Sequence, residues 1–396
     1  MSAASADTRQ RPVVDLTTHP SPHPFVRRGL VKSKGAGLAR SQIVTIRAPG
    51  GEILGDGFWN SISDIALRRL TTGDVRFDRG VLEAAVDRAV ALRESLPGLH
   101  DATDALRVVH SEGDELSGLV VDRYGDVLVV ELYSAGWLPW LEDVLEVLHA
   151  KLGTRHHRVE FDARIARLEG SESLSARSEG CPDQVRVHEH GVRWQVDLLS
   201  GHKTGFFCDQ RENRAELARH VRGGELLDVC CYTGGFAVSA SKLGSPDNVT
   251  AIDLDEVALA TARKNANLNQ VRVGFVHADA FDWLRQISKG DRRFDTVVLD
   301  PPKFIPTRKD IEKGRGKYHD LNRLALKLVK PGGLLLSCSC SGLLARDELT
   351  DLVRTAARKE HRSARVIASG GAGPDHPVLL ECPETDYLKA LWMRVW

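Results

Sequence analysis

Two cysteines one residue apart, Cys338 and Cys340, close the apolar run in LLSCSCSGLL (335–344). Such thiols can pack, ligate a metal or attack a carbon. Zinc sites use about four ligands, and this C-x-C has no partner pair at ligand spacing, so no metal is expected. Cys338 lies inside the run GLLLSC, where a thiol behaves as a small hydrophobe. Cys340 lies just past it, followed by Ser341 and Gly342, and a chemical role is the stronger reading there.

Four carboxylates form a second pattern. Asp228 falls in LLDVC, Asp253 follows VTAI, Asp279 follows GFVH and Asp300 follows TVVL. These runs and GLLLSC are short, β-branched or leucine-rich, and separated by helical segments, which predicts a doubly wound parallel sheet. Ligands of such sheets sit beyond the carboxyl ends of the strands, so the four acids should converge on one crevice. The turn CCYTGGF (230–236) follows the first strand, with Gly234 and Gly235 where backbone must approach a ligand or a helix closely. Neither GxGxxG nor GxxxxGK[ST] occurs, which argues against cofactors cradled by their phosphates. Asp253 can accept from both ribose hydroxyls of a nucleoside, or it or Asp255 can cap the helix DLDEVALATARKNANLN. Ala258, Leu259, Ala262 and Ala266 make the buried face of that helix. Asp279, followed by Ala280, is placed beside the base of the nucleoside or, alternatively, caps the next helix. In DPPKF two prolines stiffen the turn after a buried strand and hold Asp300 at the crevice.

The remaining chain must position these groups. With 396 residues, 42% hydrophobic and 27% charged, it can bury two or three cores. No run of about 18 apolar residues is present, and MSAASADTRQ lacks a signal-peptide core. Seven scattered cysteines fit free thiols in a reducing compartment, so the expected location is cytoplasmic. Residues 1–75 carry short β-type runs and suggest a small barrel; residues 76–186 begin with a helix near FDRGVLEAAVDRAVALRESL and contain the hairpin GLVVDRYGDVLVVELY. The serine-rich LEGSESLSARSEG reads as a linker into residues 187–396.

Net charge is zero, from 54 basic and 54 acidic residues, so affinity for a polyanion must be local. Leu16 to Gly51 contains no acid but holds Arg27, Arg28, Lys32, Lys34, Arg40 and Arg47. Lys303 to Lys330 holds nine basic residues against Asp310, Glu312 and Asp320. Either cluster alone could be a solvated face; the second directly follows DPPKF.

The combination of GHKTGFFCDQRENR (201–214), YTGGFAVSA, LDPPKF, GKYHDLN, SCSCSG and DHPV...YLK resembles the bacterial cytosine-5 methyltransferases of large-subunit ribosomal RNA that carry an N-terminal PUA domain. The resemblance is weakest in the first 75 residues. It departs from related enzymes at CCYTGGF, which replaces a glycine-dense turn, and at Pro302 and Lys303, where many RNA cytosine-5 methyltransferases have a second cysteine. It implies a PUA-like barrel, a central α/β domain and a Rossmann-like methyltransferase domain.

The resemblance further implies S-adenosylmethionine as cofactor, held by Asp228, Tyr232, Thr233, Gly234, Asp253, Asp279, Ala280 and Asp300. Cys340 becomes the nucleophile, adding to C6 of cytosine to activate C5, with Asp300 holding the base edge. Lys303, Phe304 and Tyr318 are the expected substrate contacts, the aromatics competing with a core role. Ribosomal RNA is the expected partner, a homodimer is left open, and no membrane is expected. The competing readings are N-methylation of an RNA base through DPP without covalent chemistry, although Lys303 stands where N6-adenine enzymes carry an aromatic, and a non-catalytic RNA-binding assembly factor.

Overall fold

Apolar strands separated by helices pack as a sheet covered on both faces. The computed structural model, which describes residues 11–32, 37–199 and 205–396, contains such a sheet in residues 225–395. Its strands are β1 (Glu225–Val229), β2 (Asn248–Asp253), β3 (Gly274–His277), β4 (Phe294–Leu299), β5 (Val329–Ser339), β6 (Ala364–Gly370) and β7 (Lys389–Val395). They lie in the order β3-β2-β1-β4-β5-β7-β6. The strand order reverses at β1 and β4, the point where open α/β sheets bind ligands.

Strand parity divides the core. Leu227, Val229, Leu299 and Leu335 pack with helices α4 (Ala280–Ile287), α5 (Ile311–Leu328) and α6 (Arg346–Lys359). Leu226, Val298, Leu334, Leu336 and Cys338 pack on the opposite face with α1 (Arg211–His220), α2 (Gly235–Leu243) and α3 (Glu256–Asn269). The expectation of a parallel sheet holds from β1 to β5. It fails at β7, which runs antiparallel to β5 and β6. The chain returns from β6 through residues 371–388 without the crossover helix that a parallel neighbour needs.

The chain divides into two compact units interleaved in sequence. One comprises Pro97–Leu106, Pro182–His376 and Pro383–Trp396; the other comprises the described residues up to Leu96, Arg107–Cys181 and Pro377–Cys382. Within the latter, the strands Val13–Asp15, Ile43–Arg47, Ile53–Trp59, Ile65–Arg69 and Phe25–Arg27 neighbour one another in that order. They enclose Val14, Val26, Val44, Ile46 and Trp59. An antiparallel bridge joins Leu16 to Val31.

The predicted helix near residue 80 forms as Arg79–Ser95, capped by Asp78, whose side chain accepts from the Val81 N–H. The predicted hairpin pairs Leu119–Tyr124 with Val127–Leu132, turning at Gly125, φ 59°. The linker reading of LEGSESLSARSEG needs correction, because Leu174–Arg177 is a strand paired antiparallel with His156–Phe161. Its alternating half-buried and exposed residues are those of an edge strand, which polar composition disguises. No helix among the described residues is long and apolar enough to cross a membrane.

Candidate active site

The four carboxylates do converge. Asp228, one residue from the end of β1, is fully buried; its Oδ2 accepts from the Ala237 N–H at the start of α2 (2.9 Å). Its Oδ1 has no hydrogen-bond partner among the described residues. Burial, with Asp300 and Asp253 nearby, pushes the Asp228 carboxyl up to about 8. Cys230 is raised far above a normal thiol by burial and by Asp253, Asp300, Asp228 and Asp279, so all four acids act on this one side chain. Burial likewise keeps Cys231 protonated.

The turn between β1 and α2 is bent by three residues with positive φ, Cys230 (63°), Tyr232 (50°) and Gly234 (85°). A Cβ on Gly234 would lie 3.1 Å from Val238 and 3.3 Å from Ala262, so glycine serves both the backbone angle and the close approach of α3. Asp253 pins this turn by accepting from the Tyr232 N–H (2.8 Å), while its other oxygen accepts from the Asp255 N–H (2.9 Å). The capping question is thereby settled: Asp255 caps α3 through the Val257 and Ala258 N–H groups, and Asp253 faces the turn. The predicted buried face of α3 is present in full, with Asn265 and Asn269 added to it. Asp279 caps α4, and Ala280, its first residue, is half-buried. Thr233 is buried, and its carbonyl accepts from Asn265 Nδ2 (3.1 Å).

At the mouth between β4 and β5 the two cysteines separate. Cys338 is fully buried, raised well above a normal thiol by burial and by Asp300, and also acted on by Cys340. Cys340 follows the last residue of β5 and is half-buried. The loop after it is anchored by Ser341, whose Oγ accepts from the Ile305 N–H (3.2 Å) and lies 2.9 Å from the Tyr318 hydroxyl. One serine thus links the Cys340 loop to the segment Asp300–Ile305.

Lys303 is exposed and Phe304 half-buried, its ring 4.9 Å from that of Tyr318 and 6.1 Å from that of Phe281. The assignment of Tyr318 to substrate contact needs correction. It has no exposed surface and belongs to the core packed around α5, where a base cannot stack on it.

Three site residues were not singled out from sequence. Gln210 donates from Nε2 to Asp300 Oδ1 (3.0 Å), and its Oε1 accepts from Asn213 (2.7 Å). Ser341 is the hub just described. Lys389, 2% exposed, donates to the carbonyls of Ser341 (2.8 Å) and Tyr387 (2.9 Å). The sequence signals were the motifs FFCDQRENR, SCSCSG and YLK, which contain them.

Buried ion pairs fix the flanking segments. Arg211 meets Asp375 (2.6 Å); His376 (3.2 Å) and then Arg211 hold that carboxyl far below the usual range despite burial, and Arg214 grips Glu189 through two bonds (2.7 and 2.5 Å). The Tyr387 hydroxyl donates to Asp209 (2.6 Å), tying the strand-β7 approach to the segment before α1. Residues 201–204 of the motif GHKTGFFCDQRENR lie outside the described residues.

Residues 150–392 match the family described as S-adenosylmethionine-dependent methyltransferase. The chain belongs to this family. Among curated relatives, ribosomal RNA large subunit methyltransferase I of Shewanella amazonensis is 37% identical over 383 residues, covering 94% of this chain and 96% of that protein. Its namesake in Pseudoalteromonas atlantica is 33% identical over 378 residues, covering 94% and 95%. The solved structure of SMU.776 complexed with SAH shares the fold, with a TM-score of 0.82 at 18% identity, covering 98% of this chain and 100% of that one.

The residues present fit the family's cofactor. S-adenosylmethionine carries a sulfonium and an ammonium, and a crevice where four carboxylates crowd one another, one of them with an orphaned oxygen, gains by admitting positive charge. Asp253, held by two backbone N–H groups and still offering lone pairs, suits ribose hydroxyls.

The two basic clusters differ. In the first, Arg47 pairs with Asp15 (2.6 Å) and Arg27 with Asp64 (2.7 Å). Arg28 donates to the carbonyls of Asn60 (2.9 Å) and Ser63, and Arg40 to that of Gly170 (2.6 Å). Lys34 lies outside the described residues. In the second, the far half is engaged: Arg323 and Lys327 with Glu360 (3.6 and 3.4 Å), Lys330 with Asp295 (2.8 Å). Lys303, Arg308, Lys309, Lys313 and Lys317, around the entry to α5, are exposed.

Proposed function

We propose that this methyltransferase acts on ribosomal RNA and transfers the methyl group to C5 of a cytosine through a transient bond from Cys340. The carrying observation is the contrast among four cysteines: Cys230, Cys231 and Cys338 are held protonated by burial, whereas Cys340 sits half-buried past the end of β5, tied through Ser341 to the Asp300 loop. The names of the curated relatives and the exposed cations beside Lys303 support RNA as the substrate.

Bound S-adenosylmethionine supplies an electrophilic methyl group. Asp253 would accept from its ribose, Asp279 and Ala280 would border the adenine, and Asp228, Tyr232, Thr233, Gly234 and Asp300 would line the remainder. C5 of cytosine is too weak a nucleophile unless C6 is first attacked. Cys340 Sγ, having lost its proton to water, forms the Sγ–C6 bond and turns C5 into an enamine-like carbon. Asp300, oriented by Gln210, holds the base edge near N3 and the amino group. After methylation the C5 proton passes to water, the C5–H electron pair re-forms the C5–C6 double bond, and the Sγ–C6 bond breaks with its pair returning to Cys340 as thiolate. Phe304 offers the face for an unstacked base, with Lys303 at the phosphates.

In this reading the sheet of residues 13–69, inside a module spanning 1–75, serves as a PUA-like RNA-binding domain, followed by the central domain (76–186) and the methyltransferase domain (187–396). Because most cations described in the first cluster are engaged in the protein, phosphate contact is assigned chiefly to the entry of α5.

The test is RNA carrying 5-fluorocytidine, whose C5 fluorine cannot leave as a proton does. With cofactor, wild type forms an adduct that survives a denaturing gel, and Cys340→Ala forms none. Methyl transfer that persists in Cys340→Ala without any adduct would instead point to N-methylation.

A further inference from the structure

A lysine with 2% of its surface exposed must have its charge compensated or surrender it. Lys389, the first residue of β7, pairs in register with Ser339, the last residue of β5, so it lies alongside the residue before Cys340. Its ammonium donates to the carbonyl of Ser341, the residue after Cys340, and to that of Tyr387. Lys389 therefore brackets the candidate nucleophile on both sides without being a surface cation, and the mechanism above gives it no task.

We propose that Lys389 is a positioning residue for Cys340: its buried ammonium fixes the loop that carries the thiol and favours the thiolate over the thiol. This rests on Cys340 being the nucleophile.

The charges around Lys389 support the role. Burial pushes its ammonium down to about 8; Asp386 and Cys340 oppose that shift, and Arg346 and Lys303 reinforce it. An attraction between two charges is mutual, so a thiolate that holds the proton on Lys389 is itself held ionised by the ammonium. Asp386 lies 3.9 Å from Arg346, while Lys389 donates directly to the Cys340 loop at the Ser341 carbonyl. A free thiol with pKa about 8.5 is only a few per cent ionised at pH 7, so a nearby cation acts directly on the rate of attack. Above about pH 8 the lysine loses its own proton and the assistance fades, so thiol and amine titrate as a pair.

The full-length protein tests this through the rate at which iodoacetamide alkylates Cys340, followed by peptide mass spectrometry from pH 6 to pH 10 without RNA. Lys389→Gln keeps a hydrogen-bond donor and removes the charge; Lys389→Arg keeps the charge. The expected result is a midpoint about one pH unit higher in Lys389→Gln than in wild type, with alkylation about tenfold slower at pH 7. Lys389→Arg should remain near wild type, and all three should bind S-adenosylmethionine alike, which reports that the site is folded. If Lys389→Gln does not bind cofactor, the comparison passes to Lys389→Met at the same readout. An unchanged midpoint in a cofactor-binding neutral variant overturns the proposal. Absence of a 5-fluorocytidine adduct in wild type, with the midpoint shift present, would reject Cys340 as the nucleophile and leave the electrostatic pairing standing.

Discussion

The Tyr318 hydroxyl lies 2.9 Å from Ser341 Oγ, inside a core from which solvent is excluded. Through this contact α5 braces the loop of Cys340, and the same serine oxygen receives the Ile305 N–H from the Asp300 loop. Tyr318→Phe deletes the brace while keeping the ring, at a cost of about 1 kcal/mol for a buried hydrogen bond. Adduct formation on 5-fluorocytidine RNA should slow several-fold with cofactor affinity unchanged, as measured by single-turnover gels beside calorimetry. Wild-type adduct kinetics in a fully folded variant would show that the brace is not needed.

The two neighbouring thiols should respond oppositely to truncation. Cys338→Ala removes a buried sulfur from the face shared with Leu336 and Trp392 and should cost about 1 kcal/mol in urea unfolding, leaving adduct formation intact. Cys340→Ala should leave the urea midpoint near wild type. A stable but adduct-free Cys338→Ala protein would mean that the inner sulfur does the chemistry.

Asp228 makes the protein without cofactor pH-sensitive. Its folded pKa, near 8, stands above the unfolded value of about 3.9, so its contribution to stability is complete below that lower value. It is lost progressively as pH rises from there through about 8, at a rate approaching about 1.4 kcal/mol per pH unit. Asp228→Asn, with no proton to lose, should gain on wild type steadily from pH 5 to pH 8 in urea midpoints. A constant difference across that range would show the carboxyl already ionised at pH 5.

The entry to α5 should carry phosphate contact. Replacing Arg308, Lys309 and Lys313 together by Gln is expected to weaken RNA binding and to lower the slope of log affinity against log salt by about 2, since each lost phosphate contact on single strands contributes about 0.7. Fluorescence anisotropy from 50 to 300 mM salt gives that slope directly. Paired Arg323 and Lys330 are the control positions, where the same change should leave the slope alone.

The sequence reached the methyltransferase sheet because buried parallel strands write themselves as short apolar runs, and the acids at their ends follow at regular positions. It did not reveal β6 or β7. In β6 five of seven residues are exposed, whereas β7 carries a buried apolar run, ALWM, whose antiparallel pairing with β5 and β6 only the structure showed. The edge strand Leu174–Arg177, within a serine-rich segment, escaped for the same reason as β6: half of its residues are exposed and the apolar signature is lost.

By itself, then, the order of residues determined the doubly wound core, the convergence of Asp228, Asp253, Asp279 and Asp300, and the presence of two thiols where β5 ends. All of these depend on neighbours in the chain, whose side-chain periodicity is local. Tertiary structure alone decided that Tyr318 is a buried brace, that Gln210 orients Asp300 from 90 residues away, and that Lys389 lies under the Cys340 loop. Those contacts follow from the register of strands and helices distant in sequence, and burial, which sets the charge of each group, exists only once they have packed.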